Sequence, residues 1–325
     1  MKTILVTGGS GFIGSHLIDK LLSLGYNVIN IDNFNDFYDL KIKENNIKGH
    51  FEYNNQYRLI REDITKMSFL KHFLKNEQIY AIIQLAARAG VRPSIENPYQ
   101  YQVDNVIGTQ NILDLAKEKG IKNLVLASSS SVYGNNPKTP FSETDNVDSP
   151  ISPYAATKKA NELQGYTYHH LFGMNIIMLR FFTVYGPRQR PDLAIHKFAR
   201  LMLEGKPIPF FGDGSTSRDY TYIDDIVQGI ILSLNYNENH KNVYEIINLG
   251  NNKPVTLKDM VKTIEVNLNL EAKLDKQPMQ QGDVNITYAD IQKAQKLLGY
   301  RVSTTFPEGI KKFIPWVKSI YEKSH

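Results

Sequence analysis

The 325-residue chain contains no cysteine. Disulfides, thiolate metal sites and cysteine nucleophiles are therefore excluded, and a secreted disulfide scaffold with them. Long apolar runs are missing too, none reaching the ~20 residues that cross a bilayer. The N-terminus has one lysine and then a short apolar strand, which matches neither a signal peptide nor a transit peptide. No dense basic run stands out: 38 Lys and Arg against 33 Asp and Glu give a net charge of +5, too little at this length to describe a nucleic-acid binder. Internal repeats and low-complexity tails are absent. The eight histidines show no metal-ligand spacing, since the adjacent His169 and His170 point apart on a helix, so no metal site is expected. These absences leave the expectation of a soluble cytoplasmic protein without membrane or nucleic-acid partner, long enough for about two domains and a large buried core.

What is present starts at residue 3. Thr3-Ile4-Leu5-Val6-Thr7 reads as a buried parallel strand. It breaks into Gly8-Gly9-Ser10-Gly11-Phe12-Ile13-Gly14 and resumes with Ile13, Leu17, Leu21 and Leu24 at the helical period. Strand, glycine turn and helix form the phosphate-binding start of a dinucleotide fold, in which a pyrophosphate rests on unsatisfied helix N-terminal amides. Residues 26–32 form a second strand ending in Asp32. A carboxylate there meets the adenosine ribose 2′-hydroxyl and repels a 2′-phosphate, which argues for NAD over NADP.

Further strands are expected at 57–63, 81–87, 123–129 and 175–182, with a loop and one short helix between 33 and 56. The terminal Asp63-Ile64 reaches an adenine, and Leu85-Ala86-Ala87 is small enough for a cofactor to lie against the backbone. Pro98 opens a long amphipathic helix that Gly120 closes. Strands alternating with helices predict an α/β doubly wound parallel sheet of Rossmann type. After Thr183 the segments shorten and become rich in Gly, Pro and aromatics. Helices are expected at 222–234, from Thr256, at 289–298 and around Trp316. A dinucleotide-binding domain over 1–182, rejoined by a return strand near 243–249, and a smaller substrate lobe over 183–325 follow from this pattern. Ligands in such sheets lie beyond the carboxyl ends of the strands.

The chemistry falls at those ends. The fifth strand runs into Ser128-Ser129-Ser130-Ser131, and Tyr154 and Lys158 follow at i and i+4, on one helix face. An ammonium beside a phenol favours the phenolate. Tyr154 then becomes a general base for a sugar hydroxyl, with Ser129 bonding the same oxygen and Lys158 reaching the nicotinamide ribose.

Together Gly8, Gly11, Gly14, Asp32, Ser129, Tyr154 and Lys158 resemble the extended short-chain dehydrogenase/reductases, in particular the nucleotide-sugar epimerases and dehydratases, over essentially the whole chain. The resemblance implies NAD held by Gly8, Gly11, Phe12, Ile13, Gly14, Asp32, Asn33, Asp63, Ile64, Leu85, Ala86, Ala87 and Asn105, with Tyr154 and Lys158 at its nicotinamide end. It also implies oxidation of a sugar at C4 and return of hydride to the other face. Dehydratases carry an Asp-Glu pair before Val-Tyr-Gly and UDP-glucuronate decarboxylases a Glu. This chain has Ser130 and Ser131, which leaves epimerisation. The stretches 32–39, 89–92 and 183–192 are most similar to UDP-glucuronate 4-epimerases. By that resemblance the UDP-sugar meets Ser129, Ser130, Arg92, Thr183, Arg218 and Asp283, and either Arg188 or Arg190 pairs with its carboxylate. A UDP-glucose or UDP-N-acetylglucosamine 4-epimerase is the alternative in the same fold, and a non-catalytic NAD-binding sensor the alternative outside it. Relatives dimerise through the helices expected at 98–119 and 153–172, which implies a homodimer.

Overall fold

The computed structural model describes residues 1–278 and 286–321. Seven short apolar segments build the central sheet: β1 (Thr3–Thr7), β2 (Asn27–Ile31), β3 (Tyr57–Ile60), β4 (Ala81–Gln84), β5 (Asn123–Ser129), β6 (Asn175–Phe181) and, after three strands described below, a return strand (Tyr244–Leu249). All neighbours are parallel, in the order return strand, β6, β5, β4, β1, β2, β3. The order reverses between β1 and β4, which is where such sheets open a ligand crevice.

Both faces are covered, as continuous apolar strands demand. Helix α1 (Phe12–Ser23) brings Leu17, Ile18 and Leu21 to one face, joined there by Ile226 and Ile230 of a helix spanning Ile223–Asn239. The opposite face receives, after the short α2 (Leu40–Ile47), Leu70 and Leu74 of α3 (Met67–Leu74). The same face takes Ile112 and Leu115 from the long segment that begins at Pro98, and Tyr168 from Pro153–Phe172.

That long segment is one continuous helical run, but not one α-helix. After α4 (Val91–Glu96), it comprises α5 (Pro98–Tyr101), a π-helical stretch (Gln102–Ile107) and α6 (Gly108–Lys119), closed by left-handed Gly120. The wide turn turns two successive side chains to use: Asp104 reaches the ligand cavity, and buried Asn105 bonds back to the main chain of Arg88. Apolar spacing carries no sign of such a turn. Helix α7 (Pro153–Phe172) starts as its sequence predicts, with Pro153 in the first turn and the Ser152 hydroxyl accepting from Ala155 N–H at 3.1 Å.

The second lobe is built on β7 (Thr183–Tyr185), β8 (Ile208–Phe211) and β9 (Ser217–Tyr222), followed in the chain by the return strand, β10, and then β11 (Pro254–Thr256), β12 (Leu274–Gln277) and β13 (Ile286–Thr287). Strand β9 is flanked by β11 and β13 and also pairs with β7, while β8 pairs with β12. The helices are α8 (Ala194–Leu203), α9 (Ile223–Asn239), α10 (Leu257–Leu268), α11 (Gln292–Leu298) and α12 (Phe306–Tyr321). Several expected limits shift. Strand β3 ends at Ile60, leaving Asp63 in a turn, and β4 ends at Gln84. Helix α11 begins at Gln292 because Ala289 instead bridges to Phe141. No described helix is long and apolar enough to cross a membrane.

Asp219 on β9 ties this lobe together. It is fully buried, and its carboxylate accepts from Asn251 N–H (2.7 Å), Asn252 N–H (3.0 Å), Ala289 N–H (3.0 Å) and the Thr221 hydroxyl (3.0 Å). Burial pushes its carboxyl up and these four donors pull it down. Asp219→Ala leaves all four donors unsatisfied, at about 1–3 kcal/mol for each buried group. The expected result is a loss of more than about 3 kcal/mol in urea-unfolding experiments, or failure to fold.

Candidate active site

One elongated cavity runs along the carboxyl ends of the strands, between the sheet and the second lobe. Its first end is set by how α1 meets β1. Gly8 has φ +72°, and a Cβ on it would lie 2.7 Å from Ala86 N. A Cβ on Gly14 would lie 2.3 Å from the Gly8 carbonyl oxygen. Only glycine allows this approach. Helix α1 has no side-chain cap at Gly11, so its first N–H groups remain available to an anion. Gly8, Gly11, Phe12, Ile13 and Gly14 all line the cavity.

Asp32, Asn33, Asp63, Ile64, Leu85, Ala86 and Ala87 continue the same wall. The Asp32 carboxylate accepts from Ser10 N–H (3.0 Å) and Phe34 N–H (2.9 Å), which holds it rigid and leaves lone pairs for a diol. Asn33 donates to Asp63 at 2.7 Å. Burial pushes the Asp63 carboxyl up, but the Thr65 N–H, Asn33 and the Thr65 hydroxyl more than offset it and hold it low. Uncapped amides, a glycine cradle and an oriented carboxylate fit a dinucleotide's pyrophosphate and ribose. Sequence reasoning missed Lys43 here. It is 4% exposed, lines the cavity 3.7 Å from Asp32, and donates to Asn35. Burial pulls its ammonium down. It lies in a polar stretch without apolar periodicity, so no pattern marked it.

At mid-cavity, β5 delivers Ser129, the following turn Ser130 and Ser131, and α7 delivers Tyr154 and Lys158. Lys158 is 1% exposed and donates to the Ala127 carbonyl oxygen at 2.8 Å. Burial pulls it down to about 8, against the opposing charge of Glu162. Burial pushes the Tyr154 phenol up, while Ser129 and the Arg190 guanidinium pull it down. Lys158 itself reaches inward to the β5 backbone, so the phenol's nearest electrostatic support comes from Ser129 and Arg190.

At the far end Thr183 and Arg190 line the wall. Arg190 lies 4.8 Å over the Phe37 ring and holds Asp192 through Nε (3.0 Å) and Nη2 (2.6 Å). The remaining expected residues are placed elsewhere. Arg188, at φ +63°, donates through Nη1 to Asp19 on α1 at 2.7 Å, beside a bond between His16 Nε2 and the Pro187 carbonyl. It does not line the cavity, and its pairing anchors the loop that carries Arg190. Arg92 is exposed on α4, also off the cavity wall. Asn105 is buried behind the wall, where it accepts from Arg88 N–H at 2.7 Å and donates to Thr157 at 3.0 Å. Arg218 lies on β9 outside the cavity lining and donates to the Ser217 carbonyl at 2.9 Å. Asp283 lies outside the described residues. The ion pair of Arg88 and Asp104 (2.6 Å), on the cavity wall, was not anticipated. Asp104 falls in the π-helical stretch, whose geometry alone turns it inward.

A serine, a tyrosine and a lysine converging beyond β5 of a dinucleotide fold place the molecule in the class of the short-chain dehydrogenase/reductases. The family model described as GDP-mannose 4,6 dehydratase matches residues 5–313. UDP-glucuronate 4-epimerase of Thermodesulfobacterium geofontis is 45% identical over 324 residues, 99% of this chain and 98% of that protein. The crystal structure of UDP-glucuronic acid 4-epimerase from Bacillus cereus, in complex with UDP-glucuronic acid and NAD, superposes with a TM-score of 0.89. It has 37% identity and covers 98% of this chain and 100% of that one. UDP-glucose 4-epimerase from Thermotoga maritima, solved with UDP-glucose, has a TM-score of 0.88 at 30% identity, covering 98% and 99%. The chain belongs to the extended short-chain dehydrogenase/reductases, the nucleotide-sugar epimerase and dehydratase family.

The pair of Arg188 and Asp19 is partly exposed, at 27% and 43%, so it is worth at most about 1 kcal/mol. Arg188→Ala is expected to lower the thermal midpoint by no more than about 4 °C; a larger fall in differential scanning calorimetry would show that the loop anchor carries more.

Proposed function

We propose that the protein is an NAD-dependent 4-epimerase of UDP-sugars, an isomerase, and that its sugar is UDP-glucuronate, interconverted with UDP-galacturonate. The observation that carries the choice of sugar is Arg190 on the same cavity wall as Tyr154 and Thr183. Asp192 occupies its Nε–Nη2 edge, which leaves the Nη1 end for a second carboxylate, the group that distinguishes an acid sugar from glucose. Pairing that carboxylate also restrains its loss as CO2 from the 4-keto sugar.

In this reading NAD, when bound, would supply the acceptor of the C4 hydride and the donor that returns it to the opposite face. The α1 amides hold its pyrophosphate, Asp32 its ribose hydroxyls, and the wall of Asp63, Ile64, Leu85, Ala86 and Ala87 the rest. Residues 1–182 with the return strand thus carry the cofactor, and 183–325 mainly the UDP-sugar. Tyr154 takes the proton of the 4-hydroxyl, Ser129 fixes that oxygen, and Lys158 favours the phenolate. Ser130 and Thr183 meet the sugar, Arg218 the UDP phosphates and Asp283 the uridine ribose. Neither Ser130 nor Ser131 can act as acid or base for an elimination, so the 4-keto sugar turns over and is reduced again.

The homodimer has independent support. Tyr99, Ile107, Leu163, Tyr166 and Leu171, on the run that starts at Pro98 and on α7, are 76%, 49%, 58%, 54% and 61% exposed. Covering them with a second copy removes an apolar surface from water.

Three outcomes test the reading. Purified protein supplied with UDP-glucuronate is expected to form the C4 epimer by proton NMR, and with UDP-glucose to form little; the reverse pattern sinks the acid-sugar choice. Arg190→Gln is expected to cut kcat/KM on UDP-glucuronate by about 30-fold or more, the cost of leaving a desolvated charge unpaired. Tyr154→Phe should lose about 10²–10⁴-fold in kcat.

A further inference from the structure

Tyr154, Lys158 and Glu162 stand four residues apart on α7, and the chemistry above uses only the first two. Glu162 is 1% exposed and does not line the cavity. Its Oε1 accepts from Arg180 Nε at 2.8 Å and from the Ser128 hydroxyl at 2.7 Å, and its Oε2 from Arg180 Nη2 at 2.9 Å. Arg180 is itself 1% exposed and lies 4.8 Å over the Tyr133 ring. A buried ion pair of this kind rarely repays its desolvation in stability, so its placement calls for another account.

The account lies in what surrounds Lys158. Among the described residues its ammonium has one direct partner, the Ala127 carbonyl, a neutral dipole. The titratable and charged groups around it and Glu162 are Tyr154 on α7, Tyr133 on the turn after β5, Arg180 on β6 and Tyr244 on β10. The Tyr244 hydroxyl donates to the Glu162 main-chain oxygen at 2.7 Å. On the opposite wall stands Asp104, already taken by Arg88 at 2.6 Å. Glu162, one turn along α7 from Lys158 and as deeply buried, is a carboxylate on the same helix face as the lysine. Burial opposes the charged form of an amine, and a fixed opposite charge restores it. The double hydrogen bond from Arg180 and the bond from Ser128 hold that carboxylate in place.

We propose that Glu162 is a positioning residue for the epimerisation, its carboxylate keeping the Lys158 ammonium charged beneath the substrate while Arg180 and Ser128 lock the carboxylate in place. The role in turnover rests on the epimerase reading; the coupling of the two side chains does not. With Glu162 neutral, Lys158 and Arg180 become two buried cations without an anion, and the lysine, the weaker acid-holder, gives up its proton. A neutral amine no longer favours the Tyr154 phenolate, so the active pH range narrows from its alkaline side.

The experiment is a pH titration of Lys158 by NMR in the full-length protein carrying ¹³C-labelled lysine, with and without NAD. The signal is assigned by its loss in Lys158→Arg. Native Lys158 is expected to be protonated at pH 7 and to titrate near 8, where burial places it. Glu162→Gln is expected to lower that midpoint by about one pH unit or more. The alkaline limb of kcat should move by the same amount, with KM for the UDP-sugar little changed. Should the uncompensated guanidinium prevent folding, Glu162→Gln combined with Arg180→Met removes both charges and is expected to show the same direction. A folded variant in which Lys158 titrates at the native value overturns the proposal, as does a native Lys158 already neutral at pH 7. A shifted titration in a protein inactive on every UDP-sugar supplied upsets the epimerase reading and leaves the coupling standing.

Discussion

Everything at the cavity depends on how closely α1 can press against β1. The space between Gly14 and the Gly8 carbonyl is too small for a methyl group, and that contact aims the helix's unsatisfied amides into the crevice rather than over its rim. From there the rest of the wall follows. Asp32, at the end of the next strand, is steered by the Ser10 amide from the same glycine turn. Ala86 packs against Gly8. A displaced helix would move an anion site, a diol site and the inner wall together, so the local backbone here carries more of the function than any single side chain.

The second constraint is the handling of charge in a dry interior. Lys158, Glu162, Arg180 and Lys43 are nearly inaccessible, and each has a partner of opposite sign or an oriented carbonyl. Such groups are costly to bury. These four lie toward the carboxyl edge of the sheet, where the strand ends and helix starts offer fixed dipoles. The fold thus separates a hydrophobic framework, which supplies stability, from a polar seam, which supplies chemistry.

Much of this could be read from the residues. Apolar runs marked the seven strands of the parallel sheet, because strands buried on both faces have no polar alternation to blur them. The glycine turn, Asp32 and the Tyr154–Lys158 spacing were visible because each is a local pattern. What escaped was set by distant partners. Arg188 and Arg190 are two residues apart in an irregular loop, and only Asp19 on α1 and Asp192 decide which guanidinium turns toward the cavity. Lys43 sits in a helix with no apolar stripe, and Asp104 is turned inward by a π-helical turn that side-chain periodicity does not encode. Glu162 was in plain view at the next step of the same spacing, but its meaning required Arg180 from another strand.

The π-helical stretch at Gln102–Ile107 has a consequence for the phase of the helix that contains it. Each residue advances an α-helix by about 100°, and the wide turn takes up roughly one extra residue, which shifts the phase of everything after it. The two halves of the run are therefore out of register with one another. The half before it exposes Tyr99 and buries Tyr101, while the half after it buries Ile112 and Leu115. A chain one residue shorter here would form a smoother helix and point its exposed aromatic in another direction. The irregular turn is thus what allows one rod to serve the cavity wall, the core and the outer surface at once.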